Sequence, residues 1–127
     1  MAWKPFLIFF LGVATLRAEY HATYTEALKA HQKTQKPLIV LVSAKNCAPC
    51  NRMKSEIPKN IRLGLYQGVE YCVILYDNQT AVSKALLGGR KICPTTVIFR
   101  LKGGRYAITR ATGYKNYREL FRLFFPR

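Results

Sequence analysis

Leu38-Ile39-Val40-Leu41-Val42 is an unbroken apolar run bounded by Pro37 and Ser43, and Cys47-Ala48-Pro49-Cys50 follows after Ser43-Ala44-Lys45-Asn46. Five apolar residues without alternation describe a strand buried on both faces, as in the middle of a parallel sheet. Beyond it the period changes. Cys50, Met53, Ile57 and Ile61 recur at spacings of three, four and four, so a helix begins at the cysteine pair. Pro58 is predicted to kink or stop that helix, because proline removes a backbone donor and clashes with the preceding turn. The pair therefore sits where a buried strand passes into a helix. There the orphan backbone N–H groups and the helix dipole favour a thiolate at Cys47 and lower its pKa. Cys50, one turn further in, points back toward the core. Pro49 fits the first helical turn, where its missing N–H costs nothing.

The rest of the chain arranges itself around this junction. Thr23 with Glu26 has capping-box spacing, and Tyr24, Ala27, Leu28 and His31 continue it as a helix over 24–34. Residues 69–76, rich in β-branched and aromatic side chains, predict a second buried strand. Residues 80–87 read as a short helix stopped by Gly88-Gly89. Residues 95–100 and 105–110 are two strands turned through Lys102-Gly103-Gly104. Tyr117, Leu120, Phe121 and Phe124 then mark an amphipathic helix that packs on the sheet. Strands separated by helices give a parallel unit, and the hairpin adds antiparallel strands to it. The fold class is α/β, a central mixed sheet flanked by helices on both faces.

With 127 residues, half of them hydrophobic, the chain suits one globular domain. Lys and Arg number 21 against 6 acids, a net charge of +15, which predicts attraction to acidic proteins or anionic membrane surfaces. The basic residues are dispersed, with no block of five or six, so specific nucleic-acid recognition is not indicated. Residues 1–18 carry Lys4, an eleven-residue apolar run from Phe6 to Leu16, and Ala18, the pattern of a secretory signal or N-terminal anchor. That run is too short to span a bilayer. Without residues 1–18, and so without Lys4 and Arg17, 19 basic residues face 6 acids, a net +13 on the 19–127 domain.

Spacing alone leaves three chemistries open for Cys47 and Cys50: thiol exchange, an inert disulfide, or half of a zinc site. A structural zinc site wants a second close pair, whereas Cys72 and Cys93 stand 22 and 43 residues beyond Cys50. His21 and His31 fall in no ligand pattern and read as surface or helix-face residues. Cys72 reads as a small core residue. No phosphate loop, Ser-His-Asp arrangement or carboxylate pair is present.

The sequence resembles the thioredoxin superfamily over about residues 22 to 125. The likeness rests on Cys47-Ala48-Pro49-Cys50 after the buried strand, Asp77 at a strand end, and Cys93-Pro94-Thr95-Thr96 opening the next strand. Cys50, Met53 and Glu56 also match the C-x-x-C-x-x-M-x-x-E pattern of small exported thioredoxin-like domains. The resemblance implies a cis Pro94 beside the cysteine pair, a substrate groove shaped by Cys93, Pro94, Thr95 and Gly113, and an active-site loop of Asn46, Ala48 and Pro49. It implies no separate cofactor and no metal, the redox group being the Cys47–Cys50 disulfide. Cys93, next to the pair if Pro94 is the groove proline, would form an alternative disulfide, tune substrate release, or simply pack in the core. Two positions depart from the family: Asn46 stands for its usual tryptophan, and Leu41 for the buried aspartate that takes a proton from the resolving thiol.

The expected function is that of an exported, periplasmic or secreted monomeric oxidoreductase exchanging disulfides with protein thiols or disulfides and recharged by an upstream redox partner. The alternative is a non-catalytic module of the same fold that docks an acidic partner or an anionic membrane through its basic surface. For the latter, Phe121, Phe124 and Phe125 interleave with Arg118, Arg122 and Arg127. Their simplest reading is a core-facing helix end.

Overall fold

The strand β2 (Leu38–Ser43) is buried along its whole length in a computed structural model that describes residues 19–126. Its apolar run divides between two cores. Leu38, Val40 and Val42 face one side with Cys72, Ile74, Val97 and Phe99, while Ile39 and Leu41 face the other with Tyr71 and Ile98. Two-sided burial is why the sequence shows no alternation here.

The remaining elements are β1 (Glu19–His21), α1 (Tyr24–Thr34), α2 (Ala48–Arg62), β3 (Glu70–Leu75), α3 (Thr80–Leu87), β4 (Thr95–Lys102), β5 (Arg105–Thr112) and α4 (Tyr117–Phe124). A single 3-10 turn, Tyr76–Asn78, joins β3 to α3. The sheet has the order β1-β3-β2-β4-β5. β1 and β2 lie parallel to β3, and β4 and β5 are antiparallel, so the sheet is mixed as expected. Ala27 of α1 and Leu86 and Leu87 of α3 cover the first core; Met53 and Ile57 of α2 and Leu120 and Phe124 of α4 cover the second. The β4–β5 hairpin turns on Gly103 and Gly104, both at positive φ, the requirement of a type I′ turn.

The structure adds to or narrows the sequence reading at four points. β1 was not anticipated, because three residues, Glu-Tyr-His, carry no periodic signal. Helix α2 continues through Pro58 to Arg62. His31 is fully buried rather than on the surface: its Nδ1 lies 2.5 Å from the Lys36 carbonyl oxygen and its ring 5.7 Å from that of Tyr106. Phe121 is exposed, so within the aromatic tail it is Phe124, with Leu120, that faces the core. The predicted leader, residues 1–18, and Arg127 lie outside the described residues.

Arginines close two helix ends. Arg110 Nε donates to the Leu86 carbonyl at 2.5 Å, and Arg100 donates to the carbonyls of Leu123 and Phe124. Both satisfy carbonyls that lack a partner within the helix.

Candidate functional site

Cys47 is the N-cap of α2, in extended conformation, and its Sγ accepts from the backbone N–H of Cys50 at 3.3 Å. A sulfur thus takes the role usually filled by a side-chain oxygen, satisfying one orphan donor of the first turn. Cys47 is half-buried and Cys50 fully buried. The two are joined as a disulfide, with Cα atoms 5.2 Å apart. Asn46, just before them, holds a left-handed backbone (φ 55°), a conformation asparagine tolerates better than most residues. Pro49 lies in the first helical turn, and Ala48 and Pro49 are exposed. When the pair is reduced, the Cys50 N–H and the helix dipole favour charge on Cys47, while no acid stands in the first turn to oppose it.

Facing the pair is the turn into β4. The Cys93–Pro94 peptide bond is cis, and the Cys47 Sγ lies 3.9 Å from the carbonyl oxygen of Cys93. The Pro94 carbonyl accepts from the Gly113 N–H at 2.8 Å, and Gly113 has φ +84° with open space where a side chain would project. Thr95 is buried, its hydroxyl donating to the Ile92 carbonyl at 2.5 Å, so it braces the turn instead of presenting a group to a substrate. The structure thereby places Cys47 beside the Cys93 carbonyl and ties Gly113 to the buried Pro94. The Cys93 thiol packs against the core under α1 and α3, and burial pushes its pKa up, with Lys91 opposing. Cys72, wholly enclosed in β3, has its thiol pushed up to about 12 by burial.

Leu41 is fully enclosed in the core under α2 and α4. A proton leaving Cys50 therefore finds no carboxylate at that position.

A supporting triad escaped the sequence. The Tyr114 hydroxyl donates to Glu56 Oε1 at 2.5 Å, Arg52 Nε lies 3.4 Å from the same oxygen, and the Arg52 guanidinium stacks 4.5 Å over the Tyr114 ring. The hydrogen bond to Glu56, with burial second, raises the Tyr114 pKa. This cluster ties the segment after Gly113 to α2, with Glu56 and Tyr114 58 residues apart in sequence. At the opposite edge of the sheet, the buried Glu70 pairs with His21 at 3.2 Å, and Glu19 brings a third ligand-type atom within 4.8 Å of both.

No protein-family model and no curated protein sequence matches the chain. Solved structures do. Chloroplastic thioredoxin z superposes with a TM-score of 0.65 at 20% identity, over 86% of this chain and 92% of that one. Plasmodium falciparum thioredoxin gives 0.65 at 16% identity over 83% and 84%, and a thioredoxin from Thermus thermophilus 0.63 at 22% over 87% and 85%. The fold is that of the thioredoxins, as the resemblance implied.

Proposed function

We propose that the chain is a thiol-disulfide oxidoreductase acting on protein substrates, with Cys47 as nucleophile and Cys50 as resolving thiol. The observation that carries this reading is the half-buried Cys47 at the N-cap of α2, bonded by the Cys50 N–H and set against the cis Cys93–Pro94 turn. The thioredoxin-like fold supports it.

In the reducing direction the Cys47 thiolate attacks one sulfur of a substrate disulfide. A Cys47–substrate bond forms, and the substrate's second sulfur leaves as a thiolate and takes a proton from water. Cys50 then loses its proton to water, Leu41 offering no base, and its thiolate attacks Cys47 Sγ. The second substrate thiolate leaves, and the Cys47–Cys50 disulfide remains. Two electrons have passed to the substrate without a further cofactor, and oxidation runs the same steps in reverse. The substrate chain lies along Cys93, Pro94 and Gly113, and an upstream redox protein resets the pair. The apolar run in residues 1–18 supports a site of action outside the cytoplasm, and oxidising compartments are where disulfides persist.

A redox titration in thiol buffers, counting free thiols by mass, tests the reading. Two thiols mapped to Cys47 and Cys50 should vanish in one reversible step. A midpoint near about −270 mV marks a reductant and one near about −120 mV an oxidant. Cys47→Ser should abolish exchange and Cys50→Ser should trap a mixed disulfide; full activity of the first variant would sink the assignment. In the producing cell, the extracytoplasmic fraction should contain a chain beginning at Glu19, and recovery from the cytoplasm alone would overturn the export part.

A further inference from the structure

The C-terminal half of α2 does not seal against the outer part of β3, and a pocket of about 610 Å³ opens between them. The cause lies in the sheet. β1 pairs with β3 only over Glu70–Cys72, so beyond that point β3 has no outer strand neighbour among the described residues. Val73 and Leu75, which with Tyr71 point to the α2 side, are left half-buried as one wall. Pro58 and Ile61 form the other, and Tyr20 closes the end, its ring 5.7 Å from that of Tyr71 and tilted 53°. The volume lies within the range of about 300–1,000 Å³ typical of small-molecule sites.

The polar groups of this pocket are unspent. Tyr71 lines it and is 1% exposed; its hydroxyl is closed off from water and has no hydrogen-bond partner, whereas nearly all buried polar groups in proteins have one. Burial pushes that hydroxyl well above the usual tyrosine range, so it remains a donor at any physiological pH. Lys54 and Arg62 stand on the α2 wall, and among the described residues neither has a carboxylate within ion-pair distance. No acidic residue lines the pocket.

An apolar slot edged by two aromatic rings, two cations without counter-ions and a donor without an acceptor complement a flat apolar anion. We propose that this pocket binds a small aromatic carboxylate, its ring against Val73, Leu75 and the tyrosine pair, its charge drawn by Lys54 and Arg62, and the Tyr71 hydroxyl, closed off in the unliganded chain, uncovered on binding to donate to it. The site is independent of the thiol chemistry, since none of its lining residues belongs to the Cys47–Cys50 surface.

The test titrates naphthoate into the isotope-labelled full chain in its oxidised state, following backbone amides by NMR. Saturable shifts are expected at Ile61, Tyr71, Val73 and Leu75, and the uncharged naphthalenemethanol should bind about ten-fold more weakly. Tyr71→Phe should raise Kd about ten-fold while leaving Tm equal or higher, because it removes an unpaired buried hydroxyl along with the donor. The double variant Lys54→Gln, Arg62→Gln should bind more weakly, with a smaller salt dependence of affinity. Leu75→Trp, which fills the slot, should abolish the shifts. The proposal is overturned by absence of saturable shifts at millimolar naphthoate, by equal affinity for the alcohol, by an unchanged Kd in Tyr71→Phe, or by contacts showing residues 1–18 seated in the pocket.

Discussion

Burial separates the cysteines of this chain into chemically different groups. Cys47 keeps access to solvent and a backbone donor for its sulfur, whereas Cys72 is 0% exposed and its thiol is pushed to about 12 from 9.0. The raised value makes a stability prediction whose sign is fixed by linkage. Below pH 9 the thiol is neutral in folded and unfolded chains alike, and its contribution is fully present. Between the unfolded value and about 12 the unfolded chain releases a proton that the folded chain retains, so stability falls as pH rises. The loss at pH 11 is on the order of 2–3 kcal/mol. Urea unfolding from pH 8 to 11 should show a shallower fall in Cys72→Ala than in the parent, and identical slopes would refute the assignment. Legibility at this scale followed sequence distance. Cys47 and Cys50 were readable because three residues and a helix start define them, and Pro94 with Gly113 was readable through resemblance. The Glu56–Tyr114 bond was not, since nothing local to either residue anticipates a partner 58 positions away. Of the two places read for His31, surface or helix face, the structure selects the helix face, buried together with Ala27 whose spacing it shares.

Helix α2 carries the Cys47–Cys50 disulfide at one end and a wall of the pocket at the other, Pro58 being part of that wall. The sequence predicted the start of this helix well, because strand end, cysteine cap and Pro49 agree. Of the two outcomes that Pro58 predicts, a kink or a stop, the stop does not occur, because packing outweighs the local cost of proline: Ile57 is buried on the sheet side, while Pro58 is only half-buried at the pocket. Tertiary burial of Met53 and Ile57 holds the helix together across the lost hydrogen bond. Pro58→Ala should therefore stabilise the fold by about 1–3 kcal/mol, restoring a donor to the Lys54 carbonyl and removing the ring clash. Chemical denaturation measures this directly; a destabilised variant would mean that the proline ring's packing outweighs its backbone penalty. Short elements escape the same reasoning. β1 has three residues, and only its pairing with β3 makes it a strand. The α4 capping box, Asn116 with Glu119, lay in a segment whose apolar period drew attention first to its aromatic residues.

Across the whole molecule, charge is the property that no single contact explains. The chain carries +15, and the described residues hold only three ion pairs, two of them between exposed side chains. Such exposed pairs contribute at most about 1 kcal/mol each, so the long-range field is set by the uncompensated Lys and Arg. Under the proposed exchange function, that field would act on every encounter with a substrate disulfide. An acidic peptide is attracted before any contact forms, and a basic one is repelled, over a distance that shrinks to about 8 Å at physiological ionic strength. The exchange rate with an acidic disulfide peptide should therefore fall as salt is raised from 20 mM to about 0.3 M, and that with a basic peptide should rise, while the redox midpoint of the pair moves little. Stopped-flow exchange with two peptides of equal length and opposite charge separates encounter from chemistry. If both rates respond to salt identically, the basic surface plays no part in selecting substrates, and selection falls to the short-range contacts around Cys93, Pro94 and Gly113.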